Sequence, residues 1–191
     1  SRTNAYKEAF AEMERAEPGK KWLPLSDYSM CLDVSASARE NPLMRQYLYD
    51  ADSKIEHTGF FEFEGVTCKV RPDLYNTRTG MVLDLKTTQD GSERGFSKSV
   101  RQFNYLFQAA WYMTALRQMG ERPKEFVFLV VEKTAPYLTS CYTLDNNDIE
   151  REVPNVIDAI RLYGECLKTD VWPGYGDDIK TLNLGTPYTE N

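Results

Sequence analysis

The chain of 191 residues has little cysteine, and what it has is scattered. Cys31, Cys68, Cys141 and Cys166 form no Cys-x-x-Cys. Structural zinc and iron–sulfur sites use tighter spacing, so neither is expected. Four scattered thiols suit a reducing cytosol, although spacing alone does not forbid a chance pairing. No apolar run approaches the roughly 20 residues of a membrane span, so no membrane partner is expected. There is no signal-like amino terminus, internal repeat or low-complexity tract. An excess of basic residues is missing too. Lys and Arg number 23 against 29 Asp and Glu, for a net charge of −6. That disfavours a general nucleic-acid coat protein. It leaves open local recognition of nucleic acid, because a basic patch acts whatever the total charge.

What is present supports one folded domain. Hydrophobic residues make up 41% and aromatics 13%, enough for a substantial core. Residues 3–16 read as a helix with a weak Phe10–Met13 stripe, ended by Pro18-Gly19. A second helix is expected from Leu25-Ser26, with Ser26 as N-cap and Met30, Leu32 and Val34 buried, stopping near Asn41-Pro42. One or two helical turns follow to Tyr49. From Lys54 the period becomes two, which predicts a three-stranded meander of 55–63, 66–75 and 81–88, then a polar loop over 89–95. The spacing predicts one long helix over 96–119 with Phe103, Leu106, Phe107, Ala110, Trp111 and Thr114 on its apolar face and Gly120 as its C-cap. Residues 125–131 form a nearly continuous apolar run, as buried strands do. A strand at 137–142 and a helix from Asp145 to about Leu167 complete the pattern, with Val156, Ile157, Ile160, Leu162 and Tyr163 available for packing. The class is α/β (α+β), with a central mixed sheet flanked by helices. Residues 1–50 are a helical lead-in, 54–168 a core and 169–191 an irregular tail.

The chemistry gathers on the hairpin whose turn is Asn76-Thr-Arg-Thr-Gly80. Side chains alternate between faces of a strand. Pairing Tyr75 with Gly80 sets Leu74 against Met81 and Asp73 against Val82. One face then carries Val70, Pro72, Leu74, Met81, Leu83 and Leu85 and wants a core. The other carries Lys69, Arg71, Asp73, Asp84 and Lys86. Two carboxylates on adjacent strands can hold Mg²⁺, a hard ion that takes oxygen ligands, and such an ion activates water against a phosphodiester. Lys86, about 7 Å beyond Asp84 at ~3.3 Å per residue, can orient that water or neutralise charge. On Asp-x-Lys alone the plainer reading is an exposed ladder of opposite charges, worth little to stability.

Wider context changes the balance. Gln108 and Tyr112 lie one turn apart on one side of the long helix, and Arg101 is seven residues before Gln108 on that side. The plain reading is ordinary polar positions beside an aromatic core. The functional one is that this side covers the carboxylate face. Lys69, Arg71, Arg94, Lys98 and Arg101 are expected to border one cationic groove that holds DNA.

Val70-Arg-Pro-Asp73, Leu83-Asp-Leu-Lys-Thr-Thr88 and Gln108-Ala-Ala-Trp-Tyr112 resemble, in order and spacing, the PD-(D/E)XK nucleases with their restriction-endonuclease-like core. The match is to the exodeoxyribonuclease VIII-like branch, phage-type recombination exonucleases related to lambda exonuclease. Arg2-Thr-Asn-Ala5, Phe126-Val-Phe-Leu-Val130, Cys166-Leu-Lys-Thr-Asp170 with Val171-Trp-Pro173, and Ile179-Lys-Thr-Leu182 agree with it. The resemblance implies Asp73, Asp84 and the Leu85 carbonyl as metal ligands, Lys86 as catalytic lysine, and Gln108 and Tyr112 as the family's Gln-x-x-x-Tyr pair. It implies Mg²⁺ (with Mn²⁺ as substitute), 5′→3′ digestion of duplex DNA from its ends, a homo-oligomeric ring, hand-over to a single-strand annealing protein, and a cytoplasmic, bacterial or phage-encoded enzyme. Relatives with an iron–sulfur cluster hold it through a close-spaced carboxy-terminal cysteine trio, which Cys141 and Cys166 do not match. The family's upstream Gly-x-x-x-His or Gly-x-x-x-Glu element has no counterpart, so either an amino-terminal segment of the family is missing, as expected here, or the site has reduced metal affinity. That role does not pass to His57. Glu56, Glu62 and Glu64 could approach the ions, but the preferred reading makes them edge or surface residues. A metal-dependent endonuclease of this fold and a catalytically weak DNA-end-binding module are the alternatives.

Overall fold

The computed structural model describes residues 3–20, 22–176, 178, 179 and 181. Arg2, Lys180, Leu182 and the rest of the expected tail after it lie outside these residues. The chain opens with α1 (Asn4–Ala16), α2 (Leu25–Glu40) and α3 (Pro42–Leu48). Thr3 caps α1 by accepting from the Tyr6 N–H, and Asn41 caps α3 by accepting from Leu43 and Met44. Ser26 is not the cap of α2. The helix begins at Leu25 after Pro24, and the Ser26 hydroxyl turns to Asp27 instead. Leu32 is half exposed, against expectation, because α2 buries only the side bearing Ala38.

The strands are β1 (Ser53–Ile55), β2 (Gly59–Phe63), β3 (Val66–Val70), β4 (Leu74–Asn76), β5 (Met81–Thr88), β6 (Glu125–Glu132) and β7 (Thr139–Thr143). The three-stranded meander is therefore a misreading. Its first two strands each break in the middle, at Glu56–Thr58 and at Arg71–Asp73. The first halves and second halves then enter different sheets: β1 joins a five-stranded sheet of order β1-β4-β5-β6-β7, while β2 and β3 pair alone. Only β5 and β6 run parallel, so the larger sheet is mixed.

The hairpin register also differs from expectation. Leu74 faces Leu83 and Tyr75 faces Val82. The slip is two residues, not one, so the side chains of the paired residues keep their faces. The turn is wider, and Asn76 fills it. Its buried side chain accepts from the Thr79 N–H and hydroxyl while donating to Ser53. Gly80 closes the turn with φ +80°, where an added Cβ would stand 2.7 Å from the Arg122 carbonyl oxygen. Gly80→Ala is accordingly expected to destabilise the fold by about 1–3 kcal/mol. Urea unfolding checks this, and an unchanged midpoint would contradict the turn as described.

Helices α4 (Glu93–Gln102), α5 (Tyr105–Gln118) and α6 (Asn146–Thr169) follow. One long helix was expected where α4 and α5 stand. Phe103 and Asn104 break it, with Asn104 at φ 54°, a left-handed conformation that Asn adopts more readily than most residues. The polar loop is correspondingly shorter, since Ser92 caps α4. Asp145 caps α6 as expected, but Leu162 and Tyr163 stay largely exposed on it.

The core has two layers, split by the alternation of β6. Phe126, Phe128 and Val130 join Val82, Tyr75, Ala109, Ala110 and Met113 beneath α5 and α6. Val127, Leu129 and Val131 face the other way, toward α2 and α3. Both faces of β6 are buried, which its continuous apolar run requires.

Candidate active site

Strand β5 carries the site because its two faces do different things. Leu83 goes down with Leu74 and Tyr47. Val82 and Asp84 go up beneath α5. Leu85 was expected in the core and is 38% exposed. Pairing with β4 reaches only Leu83, so beyond that residue β5 has open backbone on one edge.

Asp73 fills that edge. Its Oδ2 accepts the Leu85 N–H at 2.7 Å, and its own carbonyl accepts the Glu56 N–H at 3.0 Å. Continuing the register sets Asp73 opposite Asp84. A strand residue aims its N–H and C=O to the same side, so the Leu85 carbonyl shares the side of Asp73.

Asp84 is 2% exposed, in a layer that is otherwise apolar. A buried carboxylate is costly unless held. Gln108 donates to Oδ1 at 3.0 Å. Oδ2 makes no directional hydrogen bond but lies against the Lys86 ammonium. Burial still wins: it raises the Asp84 carboxyl to about 6 against the pull of Lys86 and of Gln108, and the charge of Asp73 pushes the same way as burial. Burial and the charge of Asp73 thus both oppose ionisation of Asp84. A divalent cation would relieve both. Two carboxylates and a peptide carbonyl are hard oxygen donors, so Asp73, Asp84 and Leu85 fit Mg²⁺. Among the described residues no group of three His, Cys, Asp or Glu gathers to hold a metal, so the third donor to such an ion would be the carbonyl or water. When bound, such an ion supplies charge neutralisation at phosphate and an acidified water.

Tyr112 stands one turn from Gln108 and donates to the Arg71 carbonyl at 3.4 Å. Burial pushes its hydroxyl upward, with Gln108 pulling the other way. The structure thus brings Asp73, Asp84, Leu85, Lys86, Gln108 and Tyr112 together. The five cations are more dispersed. Lys69 sits over the Phe60 ring at 5.8 Å on the separate two-stranded sheet. Arg71 pairs with Glu56 at 3.0 Å. Arg94, Lys98 and Arg101 form an exposed i, i+4, i+7 stripe on α4. The expected helical alignment of Arg101 with Gln108 is lost at the Asn104 break.

A groove of about 690 Å³ is lined by Asp73, Glu56 and Leu85 together with Val34, Met44, Arg39 and Lys133. Sequence reasoning missed two neighbours of the site. Glu56, taken as an edge residue, has φ 49° and bridges Asp73 and Arg71. Tyr105, whose only sequence signal was its place just after Asn104, lies under Lys86.

A family model for a PDDEXK-like domain of unknown function (DUF3799) matches residues 3–184. The chain belongs to this family. The PDDEXK-like fold is shared with a crystal structure described as a putative exonuclease from Eubacterium rectale. That protein is 16% identical, with TM-score 0.64 over 95% of this chain and 73% of that one. A second structure, SSO0001, is also 16% identical and covers 81% of this chain and 69% of that one, but at TM-score 0.36 the likeness is slight. No curated protein matches. All four cysteines of this PDDEXK-like chain are free, and among the described residues no helix is long and apolar enough to cross a membrane.

Proposed function

We propose that this PDDEXK-like protein is a metal-dependent deoxyribonuclease that digests duplex DNA from its ends, as an exodeoxyribonuclease VIII-like enzyme of phage-type recombination. Mg²⁺ is the proposed metal, with Mn²⁺ as substitute, and digestion runs 5′→3′. A ring of copies and hand-over of the exposed strand to an annealing protein belong to the same proposal. The observation that carries it is the buried Asp84 carboxylate, held by Lys86 and Gln108 and pushed upward by the charge of Asp73. An ordinary surface ion ladder would leave that carboxylate in water. Asp73, Asp84 and the Leu85 carbonyl hold the metal in this reading, Lys86 meets charge on the phosphate, and Gln108 and Tyr112 order the carboxylate wall. Linear duplexes labelled at either the 5′ or the 3′ end, with a closed circle beside them, test the direction. Release of 5′ label with an intact circle is expected. Cutting of the circle would select an endonuclease, and binding without cutting an end-binding module.

The α4 stripe is proposed to touch DNA phosphates. Each neutralised phosphate contributes about 0.9 to the log–log salt slope of binding. With Ca²⁺ in place of Mg²⁺ to suppress cleavage, Lys98→Ala and Arg101→Ala are each expected to weaken duplex binding and lower that slope by a little under one. Unchanged affinity and slope in both variants would move the DNA path off α4.

A further inference from the structure

We propose that Tyr105 is a positioning residue for Lys86 in phosphodiester cleavage, holding the ammonium over the face of its ring; this rests on the nuclease reading above. The Lys86 Nζ stands 4.6 Å from the Tyr105 ring centroid. Tyr105 is itself fixed by other rings: Phe103 at 5.7 Å, Phe128 at 5.6 Å and Phe96 at 6.0 Å between centroids. It is the first residue of α5, so the left-handed turn at Asn104 decides where its ring goes. An unbroken helix would carry residue 105 elsewhere. The break is thus what supplies a clamped aromatic face beneath the lysine.

The physical need follows from what else holds Lys86. Its ammonium pairs with Asp84, and the Asp84 oxygens are the ones a divalent cation would take. Once shared with such an ion, that carboxylate attracts Lys86 less. A lysine side chain then regains rotamer freedom, which is costly to remove again at each turnover. The ring has no such competitor. It is neutral, and its quadrupole attracts the ammonium whether or not Asp84 is engaged. With the Lys86 side chain only 16% exposed, water competes weakly for the contact. Tyr105 therefore keeps the ammonium at the carboxylate end of β5. The role lies in the ring face, not the hydroxyl, so Phe should serve and an aliphatic residue should not.

The test compares Tyr105→Phe, Tyr105→Leu and Tyr105→Met, each checked for folding by circular dichroism. In metal-free protein, proton–carbon correlation spectra of carbon-13-labelled lysine should place the Lys86 ε-methylene protons upfield in wild type and in Tyr105→Phe, through the ring current, and near ordinary lysine positions in Tyr105→Leu. On linear duplex DNA, Tyr105→Leu should lose about tenfold in kcat, with KM for DNA and calorimetric Mn²⁺ affinity unchanged, while Tyr105→Phe stays within about twofold. Tyr105→Met, which keeps bulk without an aromatic face, should behave as Tyr105→Leu and replaces it should Leu not fold. An upfield Lys86 signal that survives in the aliphatic variants, or a Phe variant as slow as they are, overturns the proposal. A wild type that cuts no DNA sinks the nuclease reading and this role with it. A wild type that cuts, matched by an equally fast Tyr105→Leu, sinks this role alone.

Discussion

Asp84→Asn is expected to abolish cleavage and, in metal-free protein at pH 8, to raise the unfolding midpoint. Both effects come from the same burial. The Asp84 carboxyl is lifted from 3.8 to about 6, with burial the largest cause. Between those values the folded state binds a proton that the unfolded state has lost. Its contribution to stability is therefore complete below about pH 4 and is lost as pH rises through about 6. Above that, the metal-free fold carries an ionised carboxylate in a dry layer. Two pH units correspond to a ceiling of about 3 kcal/mol. Asn removes that cost but leaves Lys86 without its anion, so the net gain is expected at about 1–2 kcal/mol, or roughly 2–8 °C in Tm for a domain of this size. At pH 4 the two proteins should unfold within about 0.5 kcal/mol of each other. Saturating Mn²⁺ should reverse the order at pH 8, because only the wild type gains binding free energy. An Asn variant less stable than wild type in metal-free buffer at pH 8 would mean that Lys86 and Gln108 compensate Asp84 fully.

Lys86→Ala should fail in a different way. An ammonium is no metal ligand, and that of Lys86, paired with Oδ2 of Asp84, would compete with a bound cation for it. Removing it should leave calorimetric Mn²⁺ affinity intact or tighter, while kcat falls about 10²–10³-fold, the cost of losing one group aimed at developing charge. Asp84→Ala should lose both. Equal loss of Mn²⁺ affinity in the two variants would show that Lys86 orders the ligand set instead of acting on the phosphate.

Much of this site could be read from the chain because period-two alternation survives a register error of two. Leu74 against Leu83, instead of against Met81, still leaves Asp73 and Asp84 on one face. The buried run Phe126–Val131 needed only its length and composition. What escaped was where the backbone breaks inside an otherwise periodic run, at Glu56–Thr58, at Arg71–Asp73 and at Asn104. Glu56 and Asn104 both adopt positive φ. At Glu56 the expected first strand divides between two sheets; at Asn104 one helix becomes two. Glu is a poor signal for such a turn, and Asn between Phe103 and Tyr105 is masked by strong apolar periodicity on both sides. The same two breaks hide Glu56 as the neighbour of Asp73 and Tyr105 as the support of Lys86. Ser26 was misread for another reason: a Ser at a helix start invites a cap, and Pro24 supplied the extended residue two positions earlier.

Asp73, Asp84 and Lys86 are proposed to form one metal-dependent site that cuts DNA. Its most direct measurement is release of acid-soluble nucleotide from linear duplex DNA by wild type, Asp73→Asn and Asp84→Asn, each with Mg²⁺ and with EDTA. Release by the wild type alone, stopped by EDTA, is the expected result. Release that persists in EDTA or in Asp84→Asn, or none from folded wild type with Mg²⁺ or Mn²⁺, would contradict it.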